Sequence, residues 1–162
     1  LSGIAAIMLE LYDEFKALIA KLAEHKSDYA LCGGLAMAVH GIPRATVDID
    51  LLISVESLEA VKTLAHELGY TLEAQPMKFA GGAIDIRRIS KLDPDSGDVL
   101  MLDLLLVTPP IREVWESRIE VEWETEKLQV VSREGLITLK SLRKSGQDLD
   151  DIKSLTENTD ES

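Results

Sequence analysis

Two aspartates, Asp48 and Asp50, interrupt an otherwise apolar run from Val47 to Ile53. Strand side chains alternate between faces, so both carboxylates project one way while Val47, Ile49 and Leu51 project the other. Such a strand has one face made for a core and one that needs its charge compensated. Two like charges side by side repel, and each raises the other's pKa. A divalent cation removes that conflict, and magnesium favours a few carboxylates together with phosphate oxygens and water. A pair of solvated acids at a strand end is the plainer alternative, and the two residues alone do not decide between them.

The flanking segments narrow the choice. Tyr29 to Cys32 reads as a short strand closed by Gly33-Gly34, after which Leu35 to His40 form a brief helix. Glycines allow a tight turn and close backbone approach, and the exposed amides of a helix start attract phosphate. Taken alone, a Gly-Gly turn is more often structural. Gly41-Ile42-Pro43 ends the helix, because proline lacks an amide hydrogen and turns the preceding residue away from helical geometry. Further on, Ala83 to Lys91 and Val99 to Val107 read as strands joined by the turn Asp93-Pro94-Asp95-Ser96-Gly97. Asp103 is the only polar residue of the second strand, and burying it unpaired would be strongly unfavourable. It needs either a cation shared with Asp48 and Asp50, or a partner such as Arg87 or Arg88 on the neighbouring strand. Asp85 is a competing third acid, although Arg87, two residues on and facing the same side, can neutralise it.

The rest of the chain supplies a frame for these residues. Ile4, Ile7, Leu11, Phe15, Leu18 and Leu22 recur at helical spacing and predict an amphipathic helix. Ser54 or Ser57 can cap a second helix with apolar face Leu58, Val61, Leu64 and Leu68 and a stop at Gly69. Arg118 to Ser132 alternates in two pieces, as a hairpin does. Ser132 and Glu134 open a helix through about Leu142, and another follows near Leu149 to Leu155. Strands alternate with helices early and pair as hairpins later, so the expected class is α/β (α+β), a mixed sheet with packed helices. One domain is expected over residues 1–155, with a core at about 29–107, a C-terminal hairpin and helices at about 110–155, and a frayed acidic tail at 156–162.

Charge restricts the partners. With 29 acidic and 17 basic residues the net charge is −12, which argues against an extended non-specific nucleic-acid surface. A local basic site could still form if Arg44, Arg87, Arg88, Lys91 and Lys140 converge. No run approaches the ~20 apolar residues of a membrane span, and no basic start precedes an apolar core, so neither membrane insertion nor a secretory signal is expected. The single cysteine, Cys32, suits a reducing cytoplasm. It reads as a small buried strand residue, and His25, His40 and His66 match no ligand spacing.

The stretch from Tyr29 to Ile53, with Gly33-Gly34 closing an apolar strand and Asp48-Ile49-Asp50 following, resembles the signature of the polymerase-beta-like nucleotidyltransferase superfamily. Its Arg44-Ala45-Thr46-Val47-Asp48-Ile49-Asp50 form is most similar to the abortive-infection (AbiEii-type) nucleotidyltransferase-like proteins, many of them toxins of toxin–antitoxin pairs. Leu136 to Ile152, with Lys140, Arg143, Asp148 and Asp151, resembles their C-terminal helical motif. The resemblance implies a nucleotidyltransferase fold in which Gly33 and Gly34 cradle a triphosphate and Asp48 and Asp50 bind the catalytic Mg2+ or Mn2+. Asp103 would complete the metal centre and help activate an acceptor hydroxyl. Lys140 would approach the phosphates, with Arg44, Thr46 and Asp148 also at the nucleotide. One departure is Leu35: related families place a serine hydroxyl in this turn, and here backbone amides alone would serve.

The implied reaction moves a nucleoside monophosphate from ATP, CTP or another triphosphate to a hydroxyl, releasing pyrophosphate. Such transfer needs positioning and charge neutralisation more than covalent help. The acceptor would be an RNA end such as that of a tRNA, a protein or a small molecule, and the toxin resemblance implies an antitoxin partner. The alternative is a non-catalytic nucleotide- or partner-binding module that keeps the fold.

Overall fold

The computed structural model describes the backbone of residues 3–43, 45–144 and 146–159. Eight strands form one mixed sheet: β1 (Ala30–Cys32), β2 (Asp48–Ile53), β3 (Leu72–Glu73), β4 (Met77–Phe79), β5 (Ile84–Leu92), β6 (Val99–Leu106), β7 (Ile119–Trp123) and β8 (Glu126–Val130). Their order is β3-β5-β6-β2-β1-β8-β7, with β4 also pairing β5. β2 runs parallel to β6 and β1 parallel to β8, while the other pairs are antiparallel. The helices are α1 (Gly3–Glu24), α2 (Gly33–Val39), α3 (Leu58–Glu67), α4 (Arg112–Glu116), α5 (Arg133–Arg143) and α6 (Gly146–Thr159). The α/β class and mixed sheet expected from the sequence are the ones observed.

Register sorts the side chains between faces. Cys32 lies opposite Asp50, Asp50 opposite Asp103 and Asp103 opposite Arg88, so these four form a row on one face of β1, β2, β6 and β5. The other face carries Ile49, Leu51, Ile89, Leu102 and Leu104, none more than 1% exposed. Helix α1 covers that second face. Leu11, Phe15, Leu18 and Leu22 of its expected stripe are buried, whereas the side chains of Ile4 and Ile7 lie outside those described. Glu14 ties α1 to the sheet by accepting from Lys91 Nζ at 2.6 Å and from the Tyr70 hydroxyl at 2.9 Å. On the first face, Leu136 and Leu139 of α5 come up to Leu105. The two halves of the sheet meet at a narrow seam, where β1 and β8 share one paired position, Leu31 with Val130, backed by Val131 donating to the Leu31 carbonyl at 2.9 Å.

Several ends differ from the sequence reading for local reasons. Ser54 and Ser57 cap no amide; their hydroxyls bond each other at 2.7 Å across a single 3-10 turn that precedes α3. Gly69 ends that segment with φ +99°, a left-handed value that glycine adopts freely. Ser132 does cap α5, accepting from the Gly135 amide at 3.0 Å. The last helix starts at Gly146, ahead of the expected Leu149, and runs on through Thr159, into the segment expected to fray; residues 160–162 lie outside the described ones. Strands β3 and β4 and helix α4 are too short for periodicity to announce them.

Leu18 is fully buried between α1 and the sheet and far from the aspartate row. Leu18→Ala should destabilise the protein by about 3 kcal/mol through the cavity it leaves, read as a lower urea midpoint.

Candidate active site

Strand β1 ends at Cys32, and the chain turns into α2 at once, two residues ahead of the expected Leu35. Gly33 makes the turn with φ +66°, and a Cβ built on it would stand 2.1 Å from Oδ2 of Asp50. A Cβ on Gly34 would stand 2.7 Å from Oγ1 of Thr46. Only glycine lets the backbone come this close to both side chains. The Thr46 hydroxyl donates to the Asp48 carbonyl at 3.4 Å, fixing the approach to β2.

Gly33, Gly34, Thr46, Asp48, Asp50 and Asp103 border a cleft of about 230 Å3. Arg88, Lys140, Arg143, Asp148 and Asp151 add charge to it, and Met77, Phe79 and Ile86 form an apolar wall at the β4–β5 side. Seven of the expected site residues thus meet Lys140 in one place. Arg44, also expected there, lies outside the described residues.

The acids are crowded. Burial, then Asp103, then Asp48, pushes the Asp50 carboxyl from its ordinary value of 3.8 up to about 7. Burial and Asp103 also raise Asp48, whose Oδ1 is buried without a hydrogen-bond partner. Asp103 is differently placed. Arg88 donates from Nε to its Oδ1 at 2.7 Å and from Nη2 to its Oδ2 at 2.9 Å, a two-pronged pair. Of the two ways to satisfy Asp103, the structure holds the arginine partner. Among the described residues no three His, Cys, Asp or Glu side chains are gathered so as to enclose a metal ion. Asp48 and Asp50 nevertheless suit a cation that takes its remaining ligands from phosphate and water: they share a face, one oxygen is orphaned and their charges conflict.

Asp85 faces the opposite side of β5 and pairs with Arg87 there, so it does not compete as a third acid. Lys91 is on that far side as well, bound to Glu14. Of the basic convergence considered from the sequence, the described residues leave Arg88 and Lys140 at the cleft, and Arg143 joins them. Lys140 Nζ lies 2.8 Å from Asp151 and 3.8 Å from Asp148, and Arg143 Nε lies 3.7 Å from Asp148. Arg143 and Asp151 belong to the C-terminal helical motif but have no assigned site role from sequence, yet both line the cleft. The paired spacing of three (Lys140 with Arg143, Asp148 with Asp151) was the available signal, since such residues share a helix face. Met77 and Phe79 gave only a three-residue alternation before Ala80-Gly81-Gly82.

Two of the residues given no chemical role from sequence have clear structural surroundings. Burial raises the Cys32 thiol well above its ordinary value, and Asp50 pushes the same way, which suits an inert core residue. His40 donates from Nε2 to the Val131 carbonyl at 2.8 Å, and Arg133 donates to the His40 carbonyl at 2.7 Å. Together they fasten the far end of α2 to the start of α5. No helix among the described residues is long and apolar enough to cross a membrane.

Comparison with known proteins agrees with this geometry. The family model described as nucleotidyl transferase AbiEii toxin, type IV TA system, matches residues 16–143. No curated protein matches the chain. The lincosamide antibiotic adenylyltransferase LnuA, solved with lincomycin, is similar at 19% identity and TM-score 0.61, over 89% of this chain and 95% of that one. The antibiotic-resistance factor ANT(2'')-Ia is similar at 14% identity and TM-score 0.65, over 93% of this chain and 85% of that one. JHP933 from Helicobacter pylori is similar at 17% identity and TM-score 0.54, over 97% of this chain and 68% of that one. Identities this low speak for the fold alone.

Crowded acids destabilise the fold that holds them. Asp50→Asn should raise the melting temperature by several degrees at pH 8 in metal-free buffer. The sign follows from the raised carboxyl: the penalty is absent below about 4, grows as the folded and unfolded states come to differ in protonation, and is complete above about 7. Melting curves of both proteins across that range should separate steadily between the two values and run parallel above; a gain as large at pH 4 would contradict the charge explanation.

Proposed function

Because the chain belongs to the AbiEii nucleotidyl transferase family, we propose that its cleft transfers a nucleoside monophosphate from a triphosphate to an acceptor hydroxyl. One observation carries the reading: the crowded Asp48–Asp50 pair, with one orphaned oxygen, shares a cleft with the turn where only glycine fits at positions 33 and 34. A divalent ion, Mg2+ or Mn2+, bound between those carboxylates and the phosphates would neutralise charge during transfer. The amides of Gly33 and Gly34 would hold the phosphates, with Thr46 lining the same part of the cleft. Lys140 and Arg143 bring positive charge from α5 and are kept in orientation by Asp148 and Asp151. Asp103, held by Arg88, lies on the other side of the aspartate pair, where an in-line acceptor would enter and where its carboxylate can orient the hydroxyl.

The acceptor is a protein or small-molecule hydroxyl in preference to a long RNA. A net charge of −12 disfavours a polyanion, and Arg87 and Lys91 are committed to acids on the far face. Likeness to LnuA favours a small molecule, and the family's type IV toxin description favours an antitoxin partner. A second reading, a binding module without turnover, draws support from Leu35 in place of a turn hydroxyl and from the engagement of Asp103 by Arg88.

Two measurements separate these readings. Titration calorimetry with a non-hydrolysable triphosphate should show binding that Mg2+ strengthens, and Asp48→Asn combined with Asp50→Asn should abolish that strengthening; equal binding by both proteins would refute the assignment of the metal to this pair. Incubating the protein with each labelled triphosphate and a cell extract should transfer label to a protein or small product. Label appearing nowhere would favour the binding module.

A further inference from the structure

Arg88 meets both oxygens of Asp103 at hydrogen-bonding distance. Asp103 is only 4% exposed, so its carboxylate cannot swing to a new partner while the guanidinium holds it. Yet register puts Asp103 directly beside Asp50, next to where a cation on Asp48 and Asp50 would sit. The arginine side chain is less confined, with about a third of its surface open to the cleft. Guanidinium groups bind phosphate with the same fork geometry they offer a carboxylate. The other described cations of the cleft, Lys140 and Arg143, are already matched by Asp148 and Asp151.

Building on the functional reading above, we propose that Arg88 is a built-in competitor of the metal. It holds Asp103 out of the centre until an anionic ligand draws the guanidinium away, so full cation loading waits for the nucleotide. Without nucleotide, the cation finds two carboxylates and a nearby positive charge. With nucleotide, Arg88 turns to a phosphate and the third carboxylate is released. This makes Arg88 a positioning residue that acts through Asp103 and couples the two ligands.

Mn2+ binding to the full chain, followed by calorimetry with and without a non-hydrolysable triphosphate, tests this. Without nucleotide, Arg88→Gln should bind Mn2+ about tenfold more tightly than the wild type, a coupling of ordinary size. Arg88→Lys, which keeps the charge but cannot grip both oxygens and perturbs folding less, should gain about threefold. With the triphosphate present, the difference from wild type should shrink to within about twofold. In an Asp103→Asn background the Arg88→Gln gain should fall to about twofold or less, because the released carboxylate is missing. Equal Mn2+ affinity in wild type and both Arg88 variants would overturn the proposal, as would an undiminished gain in the Asp103→Asn background, which would mean simple charge repulsion. Failure of the underlying reading looks different: wild-type Mn2+ binding would then survive Asp48→Asn with Asp50→Asn.

Discussion

The carboxylate of Asp50 rests against the backbone of Gly33, in space that any other residue's Cβ would occupy. Much of the molecule is arranged by that contact. It requires β1 and β2 to pair with Cys32 opposite Asp50, and it requires the chain to leave β1 by a left-handed turn. It also requires α2 to begin beside a carboxylate, with no side chain capping its first amides. The parallel alignment of β2 with β6 then sets Asp103 next in the row, and antiparallel β5 brings Arg88 to its side. A cleft with acids at its floor and bare amides at its edge follows from strand register rather than from any long loop.

The parts of this arrangement that were legible in the sequence are those encoded by local alternation. Asp48 and Asp50 project together because they sit two apart in a strand, and Gly33-Gly34 marks a turn by its chemistry. Strands β1, β2 and β6 announced themselves by apolar runs and β5 by alternation before a clear turn, and Ser132 capped α5 as its side chain suggested. What stayed hidden depended on which strands become neighbours. Alternation along β5 could not say which of Arg87 and Arg88 would face Asp103, and only the pairing decides for Arg88. The same pairing sends Asp85, Arg87 and Lys91 to the far face, where Lys91 reaches Glu14 on α1. Elements of two or three residues, such as the strand carrying Met77 and Phe79, are too brief for any period to show.

Charge in the cleft is nearly balanced in pairs, and the exceptions are informative. Arg88 answers Asp103, Lys140 answers Asp151 and Asp148 stands between Lys140 and Arg143. Among the described residues Asp48 and Asp50 have no such partner, and burial first and Asp103 second push both carboxyls up. A fold selected for stability alone would have little reason to keep them ionised, since neutral side chains of the same shape would relieve the strain. Their place beside a glycine-lined edge is what supports the proposed counterion there.

The seam between β1 and β8 gives this balance a mechanical side. A single matched pair of residues splices the half that carries the aspartates to the half that carries Lys140, and His40 with Arg133 acts as a rivet across the joint. Opposite jaws of the cleft are also held by packing, with Leu136 and Leu139 of α5 set against Leu105 and Cys32. Loosening that rivet would free the start of α5 from the end of α2, and with it the helix that carries Lys140 to the cleft.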